Sequence, residues 1–218
     1  LSAVDKKYVI SYEEHLSTFD GLPTKKKLSI LNDKKNLPKE FNNQIYDLKQ
    51  NATLEILDKL RKNSQLINLI ISLRNDGFLL ACASNSIETT VKKVLSKLEI
   101  ISYFDLILSN EDVENPKPHP EIYWNAMLHF GLFPENCLIV EDSPVGRLSA
   151  NLSGANTIFV NSQNEVIEIF TNTSDKNDLF MKGAEMQKYK NSKLRILIPM
   201  AGKGSRFAEK GYVFPKPL

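Results

Sequence analysis

The sequence has little cysteine, histidine or tryptophan: two, three and one in 218 residues. Cys82 and Cys137 each lie inside an apolar run, which suits buried thiols in a reducing compartment and argues against a disulfide-stapled fold or a cysteine-ligated metal. Long hydrophobic runs are missing too. Stretches such as Phe78 to Ala83 and Leu194 to Met200 fall far short of the roughly 20 residues a membrane span needs. With no charged-then-apolar leader at its start, a soluble, cytoplasmic protein without a membrane partner is expected. An excess of one charge is also lacking, since Lys plus Arg number 28 against 26 Asp plus Glu. The lysines are scattered in pairs and one triple (Lys25, Lys26, Lys27) and form no basic stripe, so nucleic acid is not an expected partner. What remains, 42% hydrophobic and 25% charged residues with nine glycines and ten prolines, is the profile of a folded globular chain.

Residues 11 to about 62 mix polar and apolar positions at helical spacing, broken at Gly21-Leu22-Pro23 and at Leu37-Pro38, and no strand pattern interrupts them. From Asn63 the pattern changes. Leu66, Ile67, Ile70, Ile71 and Leu73 keep helical spacing, Gly77 reads as a stop, and Phe78 to Ser84 runs apolar without alternation, as a strand buried on both faces does. The alternation then repeats. Helices are expected at Ile87 to Leu98, Ile122 to Phe130 and Val145 to Leu152, and strands at Phe104 to Leu108, Cys137 to Val140 and Thr157 to Val160. Apolar strands alternating with amphipathic helices predict an α/β, doubly wound parallel sheet with a helical unit ahead of it. The expected division is a helical cap over 1–62, a core over 63–170, a polar linker over 171–193, and over 194–218 the opening strand and Gly-rich loop of a second α/β domain.

In open parallel sheets ligands bind beyond the carboxyl ends of the strands, and three such ends carry polar groups. Ser84-Asn85-Ser86 leads into a helix N-terminus, where free N–H groups favour a phosphate; helix capping explains such a hydroxyl equally well. Lys117 stands between Pro116 and Pro118, in a loop whose restricted backbone lowers the entropy cost of placing an ammonium beside an anion, or else it is a solvated lysine in a rigid turn. His119 reads as a helix-start residue before it reads as a general base. Glu141 and Asp142 end a buried strand, where adjacent carboxylates repel unless a cation such as Mg²⁺ neutralises them; capping by Asp142 or Ser143 is the alternative. Together, an anion pocket, a fixed lysine and a divalent-cation site form a constellation suited to phosphoryl transfer.

The motifs ACASNS, NPKPHPEIY and LIVEDSPVGRLSANLSGA, in that order, resemble those of the haloacid dehalogenase-like phosphohydrolases, within them the beta-phosphoglucomutase-like branch with a helical cap. The resemblance covers residues 1 to about 170. It implies that Ser84 and Lys117 are catalytic and, with Asn85, bind a phosphoryl group, that Glu141 and Asp142 hold Mg²⁺, and that Gly21 and Thr24 belong to a cap closing over a small phosphorylated metabolite. It implies a phosphatase before a phosphomutase. One departure stands out. The family's first motif, a strand ending in Asp-x-Asp that supplies the nucleophile, should precede the cap, and Asp5 and Asp20 do not follow apolar strands. We therefore expect a fragment that lacks the central strand of its sheet and is inactive alone, or else a binding module that has lost its nucleophile.

The last residues resemble a second family. Leu197 to Phe207 and Phe214 to Leu218 are similar to the opening of sugar-phosphate nucleotidyltransferases, which implies that Gly202, Gly204, Arg206 and Lys216 approach the phosphates of a nucleoside triphosphate. The two resemblances together imply a bifunctional protein that acts on sugar phosphates.

Overall fold

The computed structural model describes residues 1–180, apart from 3 and 58, together with the backbone of 195–197. Two compact units divide them, one over Leu1–Leu60 and one from Arg61 onward.

The first unit is helical. Asp5 opens a 3-10 turn over Lys6–Tyr8 by accepting from the Lys7 N–H at 2.9 Å. Ser11 caps α1, Tyr12–Glu14, which continues as a π-helical turn over His15–Phe19. The long helices are α2, Thr24–Lys35, and α3, Asn42–Leu57. Their boundaries follow the turn signals: Gly21 has φ +75°, Pro23 precedes α2, and Asn36 ends α2 in the left-handed region at φ +52°. Phe19, Leu28, Leu31, Leu37 and Ile45 are buried together, and Asn32 and Asn42 exchange side-chain hydrogen bonds of 3.1 and 3.0 Å across the α2–α3 junction.

The second unit runs α4 (Ser64–Asn75), β1 (Leu80–Ala83), α5 (Glu88–Lys97), β2 (Leu106–Leu108), α6 (Glu121–Phe130), β3 (Cys137–Glu141), α7 (Pro144–Ser153), β4 (Asn156–Phe159), α8 (Gln163–Asn172) and β5 (Arg195–Leu197). The sheet order is β2-β1-β5-β3-β4 and every pair is parallel. Every residue of β1 and β3 is buried. Ala81, Ala83, Cys137 and Ile139 pack on one face against Ile122, Tyr123, Ala126 and Met127 of α6 and Ala150 of α7. Strand alternation turns Leu80, Cys82, Leu138 and Val140 to the other face. Both cysteines are buried and are not joined to each other in a disulfide.

The α/β parallel sheet follows the sequence reading. Of residues 194–218, expected to open a second α/β domain, only 195–197 are described, as β5, which pairs with β1 through Leu80↔Ile196 and with β3 through Leu138↔Ile196. The physical reason lies in the ladders. β1 and β3 are buried and otherwise paired on one side only, so a strand between them satisfies two rows of buried backbone groups at once. Helix α8 was not foreseen, and it occupies the end of the expected core and the first residues of the expected linker. No helix among the described residues is long and apolar enough to cross a membrane.

Candidate active site at the strand ends

The turn after β1, the loop after β2 and the carboxyl end of β3 meet. Asn85 fastens the first two together: its Oδ1 accepts from the Lys117 N–H at 3.0 Å and its Nδ2 donates to the Lys117 carbonyl at 3.0 Å. The loop is thereby held by its backbone, which leaves the Lys117 side chain to run inward. Its Nζ donates to the Ala83 carbonyl at 3.1 Å, ion-pairs with Glu141 Oε1, and lies 4.6 Å from the centre of the Tyr123 ring. Lys117 is 4% exposed and Glu141 1%, so desolvation is severe and the pair persists because each charge has several partners.

Glu141 is saturated. Oε1 also accepts from the Tyr123 hydroxyl at 2.6 Å, and Oε2 accepts from the Asp142 N–H at 3.0 Å and from the N–H and hydroxyl of Ser143, each at 3.3 Å. Burial pushes the Glu141 carboxyl up, but the Lys117 ammonium and the donors from Lys117, Tyr123 and Ser143 outweigh it and hold it below the ordinary carboxylate range. Burial, and then the Glu141 charge, drive the Tyr123 phenol well above its ordinary value. Ser143 caps α7 through its hydroxyl, which accepts from the Gly146 N–H at 2.9 Å, with Pro144 in the first turn. Gly146 is required by close approach: a Cβ there would stand 2.1 Å from the Glu141 carboxyl carbon.

Glu141, expected with Asp142 as a Mg²⁺ ligand, has both carboxylate oxygens engaged by protein donors and supplies the counter-charge that the buried ammonium requires. Among the described residues no three His, Cys, Asp or Glu side chains come together to hold a metal ion. The neighbouring Asp142 is half-buried.

Ser84 is fully buried, and its hydroxyl accepts from the Ser86 N–H at 3.1 Å, a bond within the turn; α5 itself has Ile87 at its N-cap and no cap from that side chain. The start of α5 is also served from the chain, since Glu111 accepts from the Glu88 N–H at 2.7 Å. Asp112 ties the turn after β2 by accepting from the N–H and hydroxyl of Ser109, both at 2.7 Å. His119 stands at the start of α6, where its Nδ1 accepts from the Glu121 N–H at 3.3 Å. Gly21 and Thr24 lie in the helical unit, where Thr24 lines a small cavity with Phe19, Lys27 and Lys49. Gly202, Gly204, Arg206 and Lys216 fall outside the described residues.

Sequence reasoning missed Tyr123 and Gly146. Both had a signal: a tyrosine among the buried positions of an apolar helix requires a partner for its hydroxyl, and a glycine in the first turn of a helix requires a reason.

A parallel sheet with a buried lysine–carboxylate pair and polar turns at three strand ends defines the class as α/β. The chain belongs to the haloacid dehalogenase-like hydrolases, whose family pattern it matches over residues 2–160. It is 34% identical over 71 residues to a phosphoglycolate phosphatase of Nitrosococcus oceani, 33% of this chain and 32% of that one. It is 26% identical over 142 residues to a phosphorylated carbohydrates phosphatase of Thermotoga maritima, 64% of each. The chain thus spans from about a third to just under two thirds of these two relatives' lengths. In fold it is similar to a beta-phosphoglucomutase of Clostridium difficile, with a TM-score of 0.61 at 20% identity over 74% of this chain and 82% of that one. It is also similar to a haloacid dehalogenase-family hydrolase of Entamoeba histolytica, with a TM-score of 0.62 at 23% identity over 78% and 84%.

Proposed function

We propose that the α/β unit binds the phosphoryl group of a small phosphorylated metabolite, such as a sugar phosphate, and serves a phosphatase in preference to a phosphomutase. The observation that carries this reading is the Lys117 ammonium, held rigidly at the carboxyl edge of the sheet next to Ser84. An ammonium has three donors. Two are spent on Ala83 and Glu141, which leaves one for a phosphoryl oxygen at a place that costs no reorganisation. Asn85 positions the loop, and Ser84 supplies a hydroxyl at the end of β1. Phosphatase names among the relatives support the class.

The test is calorimetric titration of residues 1–218 with orthophosphate and glucose 6-phosphate. Binding that Lys117→Met weakens by tenfold or more is expected, and equal binding by the variant would remove the assignment. Residues 1–218 contain no Asp-x-Asp run, so binding without ester hydrolysis is expected of them. A Mg²⁺ dependence would act through Asp142, and Asp142→Asn should abolish any effect of Mg²⁺ on phosphate affinity. We also propose that the Gly-rich loop over residues 202–206 serves a nucleotidyltransferase. Binding of a nucleoside triphosphate that Arg206→Ala abolishes is its test.

A further inference from the structure

The loop that carries Lys117 cannot hold itself. Between Glu114 and Glu121 three of the eight residues are proline, at 116, 118 and 120, and a proline has no N–H to give. The five N–H groups that remain must find acceptors outside any ladder. One of them, from His119, reaches a loop carbonyl, that of Pro116, at 3.2 Å. Side chains accept from the rest. Asn85 takes the Lys117 N–H at 3.0 Å, and His119 Nδ1 takes the Glu121 N–H at 3.3 Å. Glu121, the first residue of α6, takes two: its Oε1 accepts from the Glu114 N–H at 2.7 Å and its Oε2 from the Asn115 N–H at 3.0 Å. Oε2 also accepts from Asn115 Nδ2 at 2.8 Å. The Asn115 side chain first, and then the Glu114 N–H, hold the Glu121 carboxyl below the ordinary carboxylate range, so a full charge faces these donors.

We propose, on the phosphoryl reading of Lys117 above, that Glu121 is the positioning residue of that site: its carboxylate fixes the base of the 114–121 loop and so the place at which the Lys117 ammonium meets a phosphoryl oxygen. Lys117 lies between two fixed points. Asn85 grips its own backbone, and Glu121 ties residues 114 and 115 to the start of α6. Beyond it, the fully buried Ser149 donates to the His119 carbonyl at 2.8 Å. The Lys117 side chain is enclosed on all but 4% of its surface, so it has no freedom to make up for a displaced backbone, and a shift at the loop's base is passed to Nζ. A matching staple stands elsewhere. After β4, Glu165 Oε2 accepts from the Asn161 N–H at 2.7 Å at the start of α8, in a turn that holds no lysine.

Calorimetric titration of the full chain with orthophosphate separates a positioning role from a merely structural one. Glu121→Gln keeps the size of the side chain but sets an amide nitrogen, which cannot accept, against one of the two N–H groups. It should weaken orthophosphate binding about tenfold. Glu165→Gln makes the same change where no lysine depends on it, and should leave the affinity as it is. In the Lys117→Met background there is no ammonium to place, so adding Glu121→Gln should weaken binding no further. Amide hydrogen exchange of the unliganded chain reads the loop without a ligand: Glu121→Gln should speed exchange at Glu114 and Asn115 on the order of tenfold and leave β3 unchanged. Wild-type affinity in Glu121→Gln, with affinity lost in Lys117→Met, would overturn the proposal and leave the phosphoryl reading standing. Unchanged exchange at Glu114 and Asn115, an equal loss of affinity in Glu165→Gln, or a further loss in the double variant would overturn it too. A wild-type chain that binds no orthophosphate would overturn both.

Discussion

The two units bury different things. The helical unit encloses Phe19, Leu28, Leu31, Leu37 and Ile45, and every buried polar or charged side chain among the described residues lies instead in the α/β unit: Ser84, Ser109, Lys117, Glu141, Ser143, Ser149 and Ser153. Apolar burial is non-directional and tolerates rearrangement, whereas a buried charge holds only in one geometry, with its partners in place. The proposed phosphoryl site therefore lies in the unit whose folding already depends on exact polar contacts.

That contrast can be tested from the largest expected effect downward. Glu141→Ala strands the buried Lys117 ammonium and should destabilise the α/β unit by about 3–5 kcal/mol in urea unfolding followed by Trp124 fluorescence. Phe19→Ala should cost the helical unit a similar amount, about 3–5 kcal/mol by circular dichroism, but leave orthophosphate affinity unchanged. If both variants lose phosphate binding alike, the distinction between the units fails. Tyr123→Phe removes one hydrogen bond to a buried carboxylate while keeping the ring under Lys117, and a loss of about 1.5–3 kcal/mol is expected by the same urea measurement. Gly146→Ala forces a methyl group against Glu141 and should cost about 1–3 kcal/mol, with a smaller loss in Glu141→Ala/Gly146→Ala, where the clash is gone.

Acidity gives the gentlest probe. The Glu141 carboxyl lies below its ordinary 4.5 in the folded chain, so the unfolded chain binds the proton more readily. The stability that the ionised group contributes is complete above about pH 4.5 and is lost as pH falls through the lower folded value. Urea midpoints measured downward from pH 7 should drop in that acid window, and Glu141→Gln should flatten this part of the profile.

Much of the fold was legible in the chain. The apolar runs at Phe78–Ser84 and Cys137–Val140 marked strands buried on both faces, and Gly21-Leu22-Pro23 and Leu37-Pro38 marked breaks between helices, because these signals are local in origin. Helix α8 escaped notice although Val166 and Phe170 lie four residues apart, since its polar residues merged with the linker that follows. Of the site, Ser84, Asn85 and Lys117 were legible because strand ends and flanking prolines are read from neighbours in sequence. Tyr123 was not, because its hydroxyl has meaning only once α6 is laid against β3.

By itself the sequence determined the class of fold, the order of its elements and the three strand ends at which polar groups gather, all of which follow from periodicity and short-range turn chemistry. Only the tertiary structure decided that Glu141 pairs with Lys117, and that residues 195–197 complete the sheet between β1 and β3. Both outcomes are settled by unsatisfied buried groups, an ammonium and two backbone ladders, whose partners lie far along the chain and are chosen by proximity in space.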